Sequence, residues 1–285
     1  MDLKLFVRLV LQGSIVLTVF GFGLKSEPGD LRYVWRRPGL LLRSLVSALV
    51  VMPFFAVLLT RAFDFRPAAE IALMALAISP VPPLLPRRLA RDGGQSAYAL
   101  SLMLTLAILS IVTVPLSAEV LARFFSRSVE APLEMIVRIV LLSVVAPLGA
   151  GVAIRHFLPS LAKRIAGTVA LAAGILLPLA LAPLLIVTWR SVWAEVGDGT
   201  LLAMVAFVIV GLTVGHLLGG PDPDNSSALA LASACRHPAI ALMIASANFP
   251  EERFGGTILL YLIVSAVVAA PYLSWRRKPA RIRLA

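Results

Sequence analysis

Six consecutive residues, Ser233-Ala234-Cys235-Arg236-His237-Pro238, put a guanidinium, an imidazole and a proline inside a long apolar stretch. A charge at the centre of such a stretch costs about 2.5–3.5 kcal/mol on insertion scales, so it needs a specific duty. Arg236 offers a permanently charged fork suited to a carboxylate or other anion. The alternative duty is structural, capping carbonyls that Pro238 frees from a helix. No acidic residue near the middle of a stretch neutralises it, since Glu70 and Glu119 sit at stretch ends. His237 either relays protons, as imidazole does near neutral pH, or stays neutral and bonds a freed carbonyl. Cys235 is the only cysteine, which excludes an internal disulfide and a Cys-rich metal site.

A second interruption lies upstream, in Ile78-Ser79-Pro80-Val81-Pro82-Pro83-Leu84-Leu85-Pro86. Each proline lacks a donor and clashes one turn back, so no continuous helix passes through. Irregular backbone at membrane depth survives only where it is buried in protein or lines a cavity, so both interruptions point inward. A shift of 155 residues aligns Leu76-Ala77 with Leu231-Ala232 and Pro83 with Pro238. Broken helices in matching positions of two halves mark the midplane site of a transporter. Ser101 and Thr105 lie four apart on one helix face, where they either meet a ligand or ion or bond back to their own helix. The candidate substrate-binding set is Arg236, His237, Ser101, Thr105, Pro83, Pro238, Ser79 and Ser233. Asp224-Asn225-Ser226-Ser227 reads as the cap of the eighth stretch.

The elements that position these residues follow from composition. The 285 residues are 59% hydrophobic and 14% charged, against about 45–50% and about 25% in soluble domains. A soluble enzyme is excluded, and the chain reads as an all-α polytopic membrane protein. Nine spans are expected near 4–24, 39–60, 68–86, 95–122, 132–156, 164–188, 197–218, 226–248 and 255–275. Arg8 and Gln12 interrupt the first, which therefore reads as a mature helix and not a signal peptide. The spans fill 1–285 as a single transmembrane domain, divided into a four-helix repeat, 1–125, and a five-helix repeat, 130–276. Those repeats would be inverted.

The net charge of +11 sits in short loops, which makes it a topology signal and excludes nucleic acid as the partner. Fifteen Lys/Arg fall on one side, among them Arg87, Arg88, Arg91, Lys278, Arg281 and Arg283, and seven on the other, among them Arg127. The bias puts the C-terminus in the cytoplasm and the N-terminus outside, in a plasma (inner) membrane. HExxH, G-x-S-x-G and G-x-x-x-x-G-K are absent, so neither an enzyme nor a primary pump is indicated.

Several short motifs, in order, resemble the bile acid:sodium symporter superfamily. They are Gly21-Phe22-Gly23-Leu24, Leu31-Arg32-Tyr33-Val34-Trp35-Arg36-Arg37-Pro38, Met52-Pro53, and Ala99-Leu100-Ser101 with Thr105. Gly215-His216-Leu217-Leu218-Gly219 and Ala241-Leu242 continue the likeness. The resemblance implies a core domain with two crossing broken helices, a panel domain that moves against it, and transport of organic anions by alternating access. It also implies a sodium site, from which this sequence departs. The family's Pro-Gly-Gly-x-x-Ser-Asn is here Pro80-Val81-Pro82-Pro83-Leu84-Leu85-Pro86. The family's Glu and the Gln four residues later fall on Ala232 and Arg236, and the Gln before Met-Pro falls on Ala48. Only Ser101 and Thr105 remain of that sodium chemistry. The expectation is a secondary transporter of a small organic anion, without cofactor and with weak or absent sodium coupling. Arg236 would stand in for the cation. Conventional sodium symport and a non-transporting receptor are the competing expectations.

Overall fold

The computed structural model describes residues 3–86, 97–125 and 132–277. Arg87, Arg88, Arg91, Arg127, Lys278, Arg281 and Arg283, counted above for topology, lie outside the described residues. The described residues are all-helical, with ten long helices and a short 3-10 helix at Asp30–Arg32; the ten are α1 (Leu3–Lys25), α2 (Pro38–Ala62), α3 (Pro67–Ile78), α4 (Ala97–Phe125), α5 (Leu133–Phe157), α6 (Pro159–Ala194), α7 (Thr200–Leu218), α8 (Pro223–Ala234), α9 (Pro238–Asn248) and α10 (Gly255–Arg277). Seven segments are long and apolar enough to cross a membrane, counting α8 and α9 as one broken segment; part of α1 and α3 are shorter apolar helices. The chain is an all-α polytopic membrane protein.

Two helices carry a π-helical turn, Val46–Val51 in α2 and Leu141–Val145 in α5. Each lies just before a proline, Pro53 and Pro147. The wide turn moves the N–H of Met52 onto the carbonyl of Ser47, five residues back. Ala48 would then need the N–H of Pro53, which does not exist. Its carbonyl is left for another partner.

The helices sort into two groups. In the first, α1 packs along both α5 and α6, with Gly23 and Gly151 letting the α1 and α5 backbones touch. In the second, α7 lies against α8 through a stripe of small residues. Gly211, Gly215 and Gly219 face Ala234, Ala230 and Ser226, and a Cβ on Gly215 would lie 2.5 Å from the Ala230 Cα. Such small-residue stripes let membrane helices approach to backbone contact.

Contacts between the groups are unevenly placed. The first half of α5 packs on α4, whereas its second half packs on α1 and α6. The final turn of α6 meets the start of α10, where a Cβ on Gly256 would press on the Ser191 carbonyl at 2.8 Å. At the end where α1 finishes and α6 begins, Leu24, Ala162 and Ala166 form a separate apolar cluster within the first group. The helix α6 has 36 residues, contains Pro178 and Pro183, and exposes Leu171, Ile175, Leu179 and Ile186 along its length.

Helices occupy all nine expected spans, but seven are long and apolar enough to cross a membrane; the first and third, 4–24 and 68–86, hold shorter apolar helices, the third because its prolines end α3 at Ile78. The helix α8 begins at Pro223 rather than 226, and its cap is Asp222, whose Oδ1 accepts the N–H groups of Asp224 and Asn225. The expected cap at Asp224 is thus two residues late, because Pro223 takes the first helical position, where its missing donor is harmless. The helix α6 runs to Ala194 instead of 188.

Candidate functional site

The two broken spans match element for element. The helices α3 and α8 each have twelve residues, open on a proline (Pro67, Pro223) and end in an extended residue (Ser79, Cys235). Their bounds correspond at a shift of 156, one more than the sequence alignment used. The residue before a proline is pushed to extended geometry, which explains Ser79 before Pro80 and His237 before Pro238.

The breaks are in direct contact. The backbone N–H of His237 donates to the carbonyl of Pro80 at 2.8 Å. On one side of this contact, α9 packs along α3, joining the second half of the later broken span to the first half of the earlier one. The Ala234 carbonyl, freed because Pro238 cannot donate to it, accepts the hydroxyl of Tyr261 in α10 at 2.8 Å.

Arg236 is 1% exposed and ties three elements together. Its Nη1 donates to the Ser79 carbonyl at 3.2 Å, at the end of α3. Its Nη2 donates to the Ala48 carbonyl at 2.9 Å, the group that the π-helical turn of α2 left over. The ion pairs Arg66–Asp198 and Arg123–Glu119 lie apart from it, and no carboxylate is paired with the guanidinium among the described residues. Arg236 Nε and His237 Nε2 are buried and have no hydrogen-bond partner among the described residues. His237 Nδ1 accepts the Ile240 N–H at 3.4 Å as the cap of α9. A neutral imidazole whose Nδ1 accepts carries its proton on Nε2, so Nε2 is a donor.

The other candidates divide into two groups. Ser79 bonds its hydroxyl back to Ala75 and presents its carbonyl to Arg236. Ser233 shares a 2.6 Å hydroxyl contact with Ser47 of α2, and Pro238 opens α9. Pro83 is buried in the turn that leaves the first break. These residues surround the crossing. Ser101 and Thr105 are engaged elsewhere, on the connector between α1 and α2. The Ser101 hydroxyl accepts the Val34 N–H at 3.1 Å and donates to the Leu31 carbonyl at 2.9 Å. Thr105 accepts the indole N–H of Trp35 at 3.0 Å. Neither bonds back to its own helix in these contacts.

Sequence reasoning did not find Ser47, Tyr261 or the Ala48 carbonyl. Pro53, five residues after Ala48, is the signal that could have pointed to the carbonyl. Among the described residues, no group of three His, Cys, Asp or Glu side chains is placed to hold a metal ion.

A helical bundle whose two discontinuous spans meet at their breaks, around a buried cation, defines an integral membrane protein with its polar centre inside the bundle. Residues 14–195 match the Sodium Bile acid symporter family, and the chain belongs to that family. Its members are transporters and not enzymes. The matched region ends after α6, before the broken span that carries Arg236. No curated protein matches the chain.

Proposed function

We propose that this protein moves a small organic anion across a bilayer by alternating access, with Arg236 serving as a fixed cation where relatives would use sodium. The observation that carries this is the guanidinium itself, buried at the crossing and held by the Ser79 and Ala48 carbonyls, with no carboxylate paired to it among the described residues. Main-chain carbonyls are the groups that would otherwise coordinate a metal cation, and here they hold a covalently attached one. A fixed cation needs no ion gradient to load it, so sodium coupling is weak or absent. Arg236 Nε–H and His237 Nε2–H, donors on successive residues with no partner among the described residues, offer an acceptor group of the substrate its contacts. Ser79, Ser233, Pro83 and Pro238 shape the surroundings, and Ser101 and Thr105 position the connector.

In this mechanism α1, α5 and α6 form a panel that moves against a core of the remaining helices. The core and panel derive from two inverted repeats, 1–125 and 130–276. The end carrying Lys25, Arg155 and Lys163 faces the cytoplasm, and the opposite end faces outward. The site takes no resident cofactor. Conventional sodium symport is the second reading, favoured by the family match.

The test is thermal stabilisation of the purified protein by a panel of organic carboxylates, in sodium and in choline buffer. Stabilisation of equal size in both buffers, lost in Arg236→Gln, is the expected result. Stabilisation that requires sodium would overturn the fixed-cation mechanism in favour of symport.

A further inference from the structure

The chain passes from α6 to α7 through Glu195-Val196-Gly197-Asp198-Gly199, and this connector has the backbone of a hinge. Asp198 has φ 45° and Gly199 has φ 76°, two successive residues in the left-handed region. A non-glycine residue is uncommon there, and Asp is among the few side chains that tolerate it. Gly199 lies so close to the Phe63 ring that a Cβ would enter it.

Arg66, just before α3, grips this connector from the core. Its Nε donates to Asp198 Oδ2 at 2.7 Å, and its Nη1 donates to the Ala194 carbonyl at 2.8 Å. Ala194 is the last residue of α6, so the guanidinium also meets the negative end of that helix dipole. One side chain thus holds the end of a panel helix and the connector beyond it. Both partners are about half exposed, at 51% and 50%. Two features make the contact releasable: water replaces its bonds at little cost, and the left-handed residues beside it absorb rotation. It also lies at the end of the bundle where the two helix groups touch, opposite the separate Leu24–Ala162–Ala166 cluster.

We infer that Arg66 and Asp198 form a latch that holds the outer ends of panel and core together, and that the latch opens when the outer face opens. The inference rests on the alternating-access mechanism. Arg66 is a positioning residue and touches no substrate.

The test uses the chain's only cysteine, Cys235, which is 2% exposed at the crossing. Its reaction rate with a small water-soluble thiol reagent is followed in purified full-length protein carrying Arg66→Gln, Asp198→Asn, or both. Each single variant should label about two- to fivefold faster, the range that a half-exposed ion pair supports. The double variant should label no faster than either single one, because both remove the same contact. Unchanged rates, a multiplicative double variant, or rates that merely follow a falling melting temperature would each overturn the latch.

A second measurement starts from a Cys235→Ala protein carrying Arg66→Cys and Asp198→Cys, bridged by a short cleavable thiol linker. Organic anion flux in proteoliposomes should stop on bridging and return on cleavage; flux that persists while bridged would overturn the latch. Labelling requires no substrate. A chain that never transports would count against the transport mechanism, while the labelling rates would still decide the latch.

Discussion

The His237 N–H and the Pro80 carbonyl meet at 2.8 Å, joining two chain breaks that lie more than 150 residues apart in sequence. Each break leaves main-chain groups without a helical partner, and the two breaks satisfy part of each other's deficit. Arg236 supplies two more bonds and Tyr261 another, so the crossing holds together through main-chain carbonyls.

Replacing Arg236 with Met keeps volume and removes both guanidinium bonds, leaving the Ser79 and Ala48 carbonyls unpaired. Each buried orphan costs about 1–3 kcal/mol, offset in part by relief of the buried charge. The expected net loss is about 2 kcal/mol, read as a lower unfolding midpoint in detergent. A variant as stable as the native protein would show that the carbonyls find other partners.

On the proposed fixed-cation mechanism, sodium dependence should be recoverable. Ala232→Glu with Arg236→Gln installs a carboxylate and removes the guanidinium, giving the two side chains that the resemblance to the family implies at those positions. The double variant is expected to gain stabilisation from sodium that potassium or choline does not give. Identical melting curves in all three salts would count against equating the guanidinium with a bound ion.

The hydroxyl pair of Ser47 and Ser233 lends itself to a double-mutant cycle. Either Ser→Ala change alone strands the other hydroxyl and should cost about 1 kcal/mol or more. The double change removes both groups together, so its cost should fall below the sum of the singles. Additive losses would mean that the two hydroxyls, 2.6 Å apart, are energetically independent.

Two glycines should respond in opposite ways to the same substitution. Gly215→Ala presses a methyl group into the Leu229 and Ala230 backbone, which no rotamer change relieves, at a cost of about 1–3 kcal/mol. Gly149→Ala meets nothing within 4 Å and should stabilise by about 0.5–1 kcal/mol through helix propensity. Equal melting temperatures for the two variants would contradict the close α7–α8 contact.

Much of this architecture can be read from local chemistry. Prolines announce both breaks, and Arg236 stands out because a charge inside an apolar run is costly. The roles of Ser101 and Thr105 could not be read that way. Their partners, Leu31, Val34 and Trp35, lie about 70 residues upstream, and nothing local distinguishes a hydroxyl that holds a connector from one that meets a ligand. The Ala48 carbonyl was hidden differently, since a main-chain group leaves no trace in residue identity. One helix limit slipped at a proline read too simply, since Pro223 starts α8 earlier than expected. The expected span 164–188 already ran through Pro178 and Pro183, which lie inside α6.

The length of α6 has a consequence for the lipid around it. At about 1.5 Å per residue, 36 residues span about 54 Å, against a hydrocarbon core of about 30 Å. Such a helix either leans steeply or projects past the headgroups, and the thickness of the surrounding membrane sets the balance. Since α6 packs along α1 and ends at the Arg66 contact, thinning or thickening the bilayer changes the tilt of both helices together. The acyl-chain length of the host membrane thereby becomes a variable acting on this protein, without any lipid binding at a defined site.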